Sequence, residues 1–161
     1  MRDPGKVEVL HDEGGWRVGL WNNLLLTAIS KPPSASSLGY VRHGQERLFL
    51  QKGTVGGLTL VTGLRLGPLD VGPRMRDEIG RLMNVPNVRG HSAIVIESDG
   101  FAAATVRAVL GAVILLARSE SPQRLFETRR DAARYLSVHA AAGWAELDLL
   151  EAARTFTNGP P

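Results

Sequence analysis

The chain has no cysteine among its 161 residues, which excludes disulfide bonds and thiolate chemistry. It also has little net charge, because 19 basic residues are balanced by 16 acidic ones to give +3. The basic residues are dispersed rather than grouped into a stripe, which argues against a nucleic-acid partner. An apolar leader is lacking, since MRDPGKVEV opens the chain with charges and a proline. These absences predict a cytoplasmic protein.

The motifs of common catalytic and nucleotide-binding sites are absent as well. The sequence has no G-x-S-x-G elbow for a serine nucleophile, and neither G-x-G-x-x-G nor G-x-x-x-x-G-K-[ST] for a phosphate. The adjacent carboxylates Asp77 and Glu78 point in different directions on a helix. Four histidines fall on separate predicted elements without metal-ligand spacing: His11, His43, His91 and His139. We therefore expect no catalytic residues, no metal, no cofactor and no enzymatic activity.

What the sequence does contain is the alternation of a sheet that begins with an antiparallel meander. Residues 7–11 and 16–20 alternate apolar and polar side chains around a turn at 12–15. The pair Asn22-Asn23 suits a two-residue turn with positive φ, and the apolar run 24–29 is the third strand. Later core strands are predicted at three places along the chain: 57–66, 92–97 and 124–127.

Helical patterns separate these strands, at 73–84, 101–118, 129–142 and 144–156. Segment 34–52 also has apolar residues at helical spacing, with Gly53 as its C-cap, although a strand at 46–50 is the alternative. The order predicts an α/β fold: a mixed, mostly parallel sheet with right-handed crossovers, an N-terminal antiparallel hairpin and four to five helices. A single domain is expected over 1–157, followed by a disordered tail at 158–161.

The longest apolar run is FAAATVRAVLGAVILLA, residues 101–117, whose only charge is Arg107. A membrane span is not expected, because 17 residues is the lower limit for one and Arg107 would lie in the hydrocarbon. A helix that is apolar all round must be covered on most of its circumference. We expect this one to lie between the sheet and another helix, or to bury its outer face in a homodimer.

Residues 57–136 resemble part of a known family. They contain the strand GLTLVT, the strand SAIVIESDGF, the helix AAATVRAVLGAVILLAR, then PQRLFET and RRDAARYL. This order is similar to that of the STAS domain of anti-sigma-factor antagonists and the SpoIIAA-like proteins. The resemblance implies a bacterial, non-enzymatic signalling adaptor that acts by protein–protein contact. Those antagonists carry a phosphorylatable serine loop, whereas the corresponding loop here, LGPLDVGP at 66–73, contains Asp70 and no hydroxyl group. The resemblance therefore implies a partner interaction without that phosphoswitch.

The candidate binding residues come from the segments that follow predicted strands and from the apolar helix predicted at 101–117. Ser98, Asp99 and Gly100 lie between a strand and a helix, where open α/β sheets bind ligands, although Ser98 or Asp99 could simply cap the helix. Phe101 and Arg107 belong to the apolar helix, and Arg107 has Glu97 or Asp99 as a possible ion-pair mate. With Asp70, these residues form the predicted partner or ligand surface. The alternative function is a sensor of a nucleotide or lipid, bound at the carboxyl edge of the sheet near 66–72 and 98–100.

Arginines also gather around the start of the helix predicted at 129–142, at positions 124, 129, 130 and 134. Cations in the first turn of a helix oppose its dipole. An acidic partner would explain them, while Asp131 or solvent could equally offset their charge.

Overall fold

The computed structural model describes residues 6–31, 34–62, 90–97 and 123–158, together with positions 73, 74, 77, 78 and 81. Six strands form one sheet in chain order: β1 (Glu8–Glu13), β2 (Trp16–Trp21), β3 (Leu24–Ile29), β4 (Gly56–Val61), β5 (Ser92–Ile96) and β6 (Gln123–Phe126). Three helices complete this part of the chain: α1 (Ala35–Lys52), α2 (Arg129–His139) and α3 (Glu146–Asn158).

The strand directions confirm the predicted α/β class with a mixed sheet. β1, β2 and β3 pair antiparallel, and every later neighbour pairs parallel. Asn22 has φ 51°, as the predicted turn between β2 and β3 requires. β4 ends at Val61 rather than at 66, because its partners β3 and β5 end opposite it at Ile29 and Ile96.

The expected count of four to five helices is not matched, since the described residues contain three. The apolar helix at 101–118 lies outside them. Of the helix at 73–84, the five described positions have helical backbone and the bounds lie outside. The tail prediction was wrong at one residue: Asn158 belongs to α3, whose last turn is held by two arginine side chains.

The segment 34–52 forms helix α1, and the alternative of a strand at 46–50 is wrong. Ser34 caps its N-terminus in a reciprocal capping box, in which Ser37 N donates to Ser34 Oγ and Ser34 N donates to Ser37 Oγ. Gly53 ends the helix with φ 73°, and its N–H donates to Phe49 O. These caps outweigh the low helix propensity of the serines and glycines within the segment.

Helices cover both faces of the sheet, and each face has its own core. α2 and α3 cover one face, where Trp21 and Leu149 belong to the first core. α1 covers the other face, where Val18 and Leu48 belong to a second, smaller core. None of the described helices is long and apolar enough to cross a membrane.

A polar link joins the meander to the C-terminal helices. Asn23 Nδ2 donates to Ala140 O (2.6 Å), and Trp144 Nε1 donates to Asn23 Oδ1 (2.7 Å). The Trp144 ring lies 5.3 Å from that of Trp21. The turn that closes β2 and β3 therefore also fixes the connection between α2 and α3.

Glycines allow both helix layers to approach the sheet closely. A Cβ at Gly19 would lie 3.0 Å from Phe156 Cε2, so the absence of a side chain lets that ring pack on β2. On the opposite face, a Cβ at Gly44 of α1 would lie 2.8 Å from Leu25 Cδ1. Gly39, also in α1, has open space at the Cβ position.

The two α1 glycines provide a matched test of this packing. Gly39→Ala should raise the free energy of unfolding by about 0.5–1 kcal/mol, because alanine is the better helix former and meets no neighbour. Gly44→Ala should leave the protein about 1–3 kcal/mol less stable than Gly39→Ala, because the new methyl group displaces Leu25. Urea unfolding measures both, and equal effects would show that α1 does not pack on β3 through Gly44.

Candidate functional site

All six predicted binding residues lie outside the described residues: Asp70, Ser98, Asp99, Gly100, Phe101 and Arg107. The described residue that borders them is Glu97, which directly follows β5 at the carboxyl edge of the parallel strands. Its carboxylate accepts from Arg129, with Arg129 Nε at 2.9 Å from Glu97 Oε1. One of the grouped arginines thus has its acidic partner within the chain.

A pocket of about 260 Å³ opens at this carboxyl edge. Three parts of the fold form it: the β1–β2 turn, the ends of β3 and β4, and the last turn of α3. Its lining comprises Asp12, Gly15, Trp16, Arg17, Ala28, Ile29, Ser30, Thr62, Phe156 and Thr157. Polar groups and an apolar wall therefore meet at the edge where open α/β sheets bind ligands.

Arg17 is the central polar residue of the pocket. Its side chain is only 15% exposed and is held from two directions. Nη1 donates to the carbonyl of Phe156, and Nη2 donates to Asp12 Oδ2 at 2.8 Å. The guanidinium also lies 5.9 Å from the centre of the Phe156 ring. Because helix carbonyls carry partial negative charge at the C-terminus, this cation stabilises the end of α3.

A second arginine reaches the same helix end from α2. Arg129 Nη1 donates to Thr157 Oγ1 at 2.9 Å while its Nε binds Glu97. The Thr157 hydroxyl in turn donates to Ala153 O. Arg17 and Arg129 therefore fix the side of the pocket that α3 contributes.

The remaining polar groups belong to strand ends. Ser30 Oγ donates to Gly15 O (3.2 Å), and Ser30 N donates to the same carbonyl (2.8 Å), so the β1–β2 turn is tied to the end of β3. Thr62 directly follows β4, and its N–H donates to Ile29 O. The site thus offers hydroxyl groups, one carboxylate, one guanidinium and an apolar wall formed by Ala28, Ile29 and Phe156.

This arrangement is suited to binding by hydrogen bonds and apolar contact. Its one carboxylate is already ion-paired with its one guanidinium. Within the part of the chain that the structure describes, no three His, Asp or Glu side chains are grouped to hold a metal ion.

A second cluster lies at the opposite, amino edge of the sheet. His91, which directly precedes β5, stacks on His139 at the end of α2 with ring centroids 4.9 Å apart. Its Nδ1 lies 2.9 Å from the hydroxyl of Tyr135. Arg124 lies over the Tyr135 ring, 5.2 Å from its centre. Burial, then the neighbouring His139 and Arg124, lower the pKa of His91 below its usual 6.5.

Sequence reasoning missed both clusters, because each joins residues that are far apart in the chain. Arg17 and Phe156 are separated by 139 positions, and His91 and Tyr135 by 44. One local signal was present: Tyr135 and His139 are four residues apart and share one face of α2. The polar Arg17 within an otherwise buried strand was a second signal, since it requires a partner.

Comparison with known proteins gives no assignment. No protein-family model and no curated protein shows a significant match to this chain.

The histidine cluster should make stability depend on pH. Because the folded-state pKa of His91 is lowered, the unfolded chain takes up its proton first as the pH falls. The contribution of His91 to stability should therefore be present above its usual pKa of 6.5 and be lost as the pH falls through that value towards the lowered one. His139→Gln removes one cause and should flatten this fall, as measured by thermal midpoints between pH 5 and 8.

His43→Gln is the control for this measurement, because His43 is an exposed residue of α1. It should keep the slope of the unsubstituted protein. A slope that is equal in all three proteins would show that the His91–His139 contact does not set the pH dependence.

Proposed function

We propose that the protein is a non-catalytic sensing domain that binds a small polar molecule at the carboxyl edge of its sheet. The observation that carries the proposal is the pocket around Arg17. Ligands of open α/β sheets bind outside the carboxyl ends of the strands, where this pocket lies. Rigid positioning supports the proposal too, since Arg17 is held by both Asp12 and the end of α3.

The volume of the pocket limits the size of the ligand that it can hold. Pockets for drug-sized molecules span roughly 300–1,000 Å³. The 260 Å³ here is just below that range, which favours a molecule smaller than the nucleotide or acyl lipid first considered. The lining contains both apolar side chains and hydroxyl groups, so a ligand with both characters fits best.

Binding at this place would connect separate parts of the fold. Arg17 links Asp12, next to the β1–β2 turn, to the last turn of α3 beside this pocket. A ligand that contacts both would stabilise their contact, and this change in the surface is the signal that a partner protein would read. In this scheme the domain acts in the cytoplasm and responds to the concentration of its ligand.

The proposal predicts a ligand-dependent shift in thermal stability. A ligand present at a hundred times its Kd adds about 2.7 kcal/mol to the free energy of unfolding. Screening small polar metabolites by thermal shift should find such a compound, and Thr62→Val should weaken its binding because a pocket hydroxyl is lost. Thr59→Val is the matched control, since Thr59 lies on β4, which Thr62 directly follows, and alternates to the opposite face from Leu58 and Leu60. Absence of a shift with every compound, or equal loss in both variants, would contradict a site in this pocket.

The second candidate function is the protein-interaction adaptor that the family resemblance implies. One observation favours it: each described helix exposes a large aliphatic side chain, namely Leu50 (85% exposed), Val138 (73%) and Leu147 (71%). Burying such a side chain on association contributes about 1.5–3 kcal/mol. The homodimer through helix 101–117 is part of this proposal.

Sedimentation at micromolar concentration tests the adaptor proposal. We expect a dimer whose interface includes the exposed Leu147 and Val138 as well as residues 101–117, so that Leu147→Ser or Val138→Ser weakens it about ten- to hundredfold, from the loss of 1.5–3 kcal/mol of apolar burial. Val9→Ser is the control, because Val9 is exposed on β1 rather than on a helix. A monomer at all concentrations would reject the homodimer.

A further inference from the structure

We propose that the ligand of the carboxyl-edge pocket is a free α-amino acid with an apolar side chain. This inference rests on the proposed sensing function and identifies its ligand class. It begins from the two charged residues in the lining, Asp12 and Arg17, which form an ion pair of 2.8 Å.

Among the described lining residues, Asp12 and Arg17 carry opposite charges, and this pairing selects against ions of one sign. An inorganic anion or phosphate ester at Arg17 would also meet the carboxylate of Asp12 and the carbonyl end of α3, which is the negative end of the helix dipole. A simple cation at Asp12 would meet the guanidinium of Arg17. A molecule with adjacent opposite charges avoids both repulsions, and an α-amino acid is the simplest such molecule.

Two of the groups that hold Arg17 differ in how readily a ligand can replace them. The carbonyl of Phe156 belongs to the backbone of α3 and is fixed. Asp12 lies next to the β1–β2 turn, and its side chain is 44% exposed. Asp12 is the more exposed member of the pair, so its carboxylate can move towards solvent while Arg17 stays held by the Phe156 carbonyl.

The amino acid is inserted between these two side chains. Its carboxylate takes the place of Asp12 at Arg17, and its ammonium group donates to the released carboxylate of Asp12. One ion pair within the protein is thereby exchanged for two with the ligand. The apolar side chain packs on the wall formed by Ala28, Ile29 and Phe156, while the Thr62 hydroxyl lies near the polar end.

Isothermal titration with L-leucine and L-phenylalanine tests the inference. N-acetyl-L-leucine lacks the ammonium group and L-leucinamide lacks the carboxylate, so each should bind at least tenfold more weakly than L-leucine. Asp12→Asn should weaken L-leucine binding at least tenfold. Glu8→Gln is the matched control, because Glu8 lies on the same strand, pairs with Arg47 and should leave binding unchanged.

The outcomes separate this inference from the function on which it rests. Equal binding of the blocked analogues, or tighter binding of inorganic phosphate or a nucleotide that Thr62→Val weakens, would overturn the amino-acid class and leave the sensing function in place. No binding by any compound in the thermal-shift screen would overturn both. Thermal midpoints of Asp12→Asn and Glu8→Gln that match the unsubstituted protein establish that both variants are folded.

Discussion

The fold depends on burying both faces of the central strands. Both faces of β2 and β3 are buried. One face contributes Trp21, Leu24 and Leu26 to the first core, and the other contributes Val18, Leu20 and Leu25 to the second. α1 covers the second face soon after β3 is complete. The first face is covered by α2 and α3, which follow the last strand. Because α3 comes last in the described chain and packs on this face, its end lies beside the β1–β2 hairpin, and the pocket forms there.

The sequence alone was sufficient for most of the secondary structure, because the relevant signals are local. Alternation located β1 and β2, and the glycine after Lys52 located the end of α1. Strand ends were less accurate. The apolar run GLTLVTGLRL predicted a strand to 66, whereas pairing with β3 and β5 ends β4 at Val61. Neighbouring strands, not local propensity, determine where a parallel strand stops.

For the candidate site, the sequence predicts only a location at the carboxyl edge of the sheet, and not the residues that line the pocket. The carboxyl edge follows from strand order, and the pocket does lie at that edge. Its residues could not be found in the same way, because Arg17 and Phe156 meet only through the docking of α3 on the sheet. Glu97 shows the same limit, because its contact with Arg129 at the start of α2 joins residues 32 positions apart. Partners of charged residues depend on tertiary contacts that periodicity does not encode.

The link between Asn23 and the α2–α3 connection has a consequence for biosynthesis. The contacts of Asn23 with Ala140 and Trp144 span 117 and 121 positions, so they form only after nearly the whole described chain has left the ribosome. Until then, Trp21 lacks its contact with Trp144. A nascent chain with an open apolar sheet is prone to association. Slow docking of α3 after synthesis would therefore leave this apolar surface open to association.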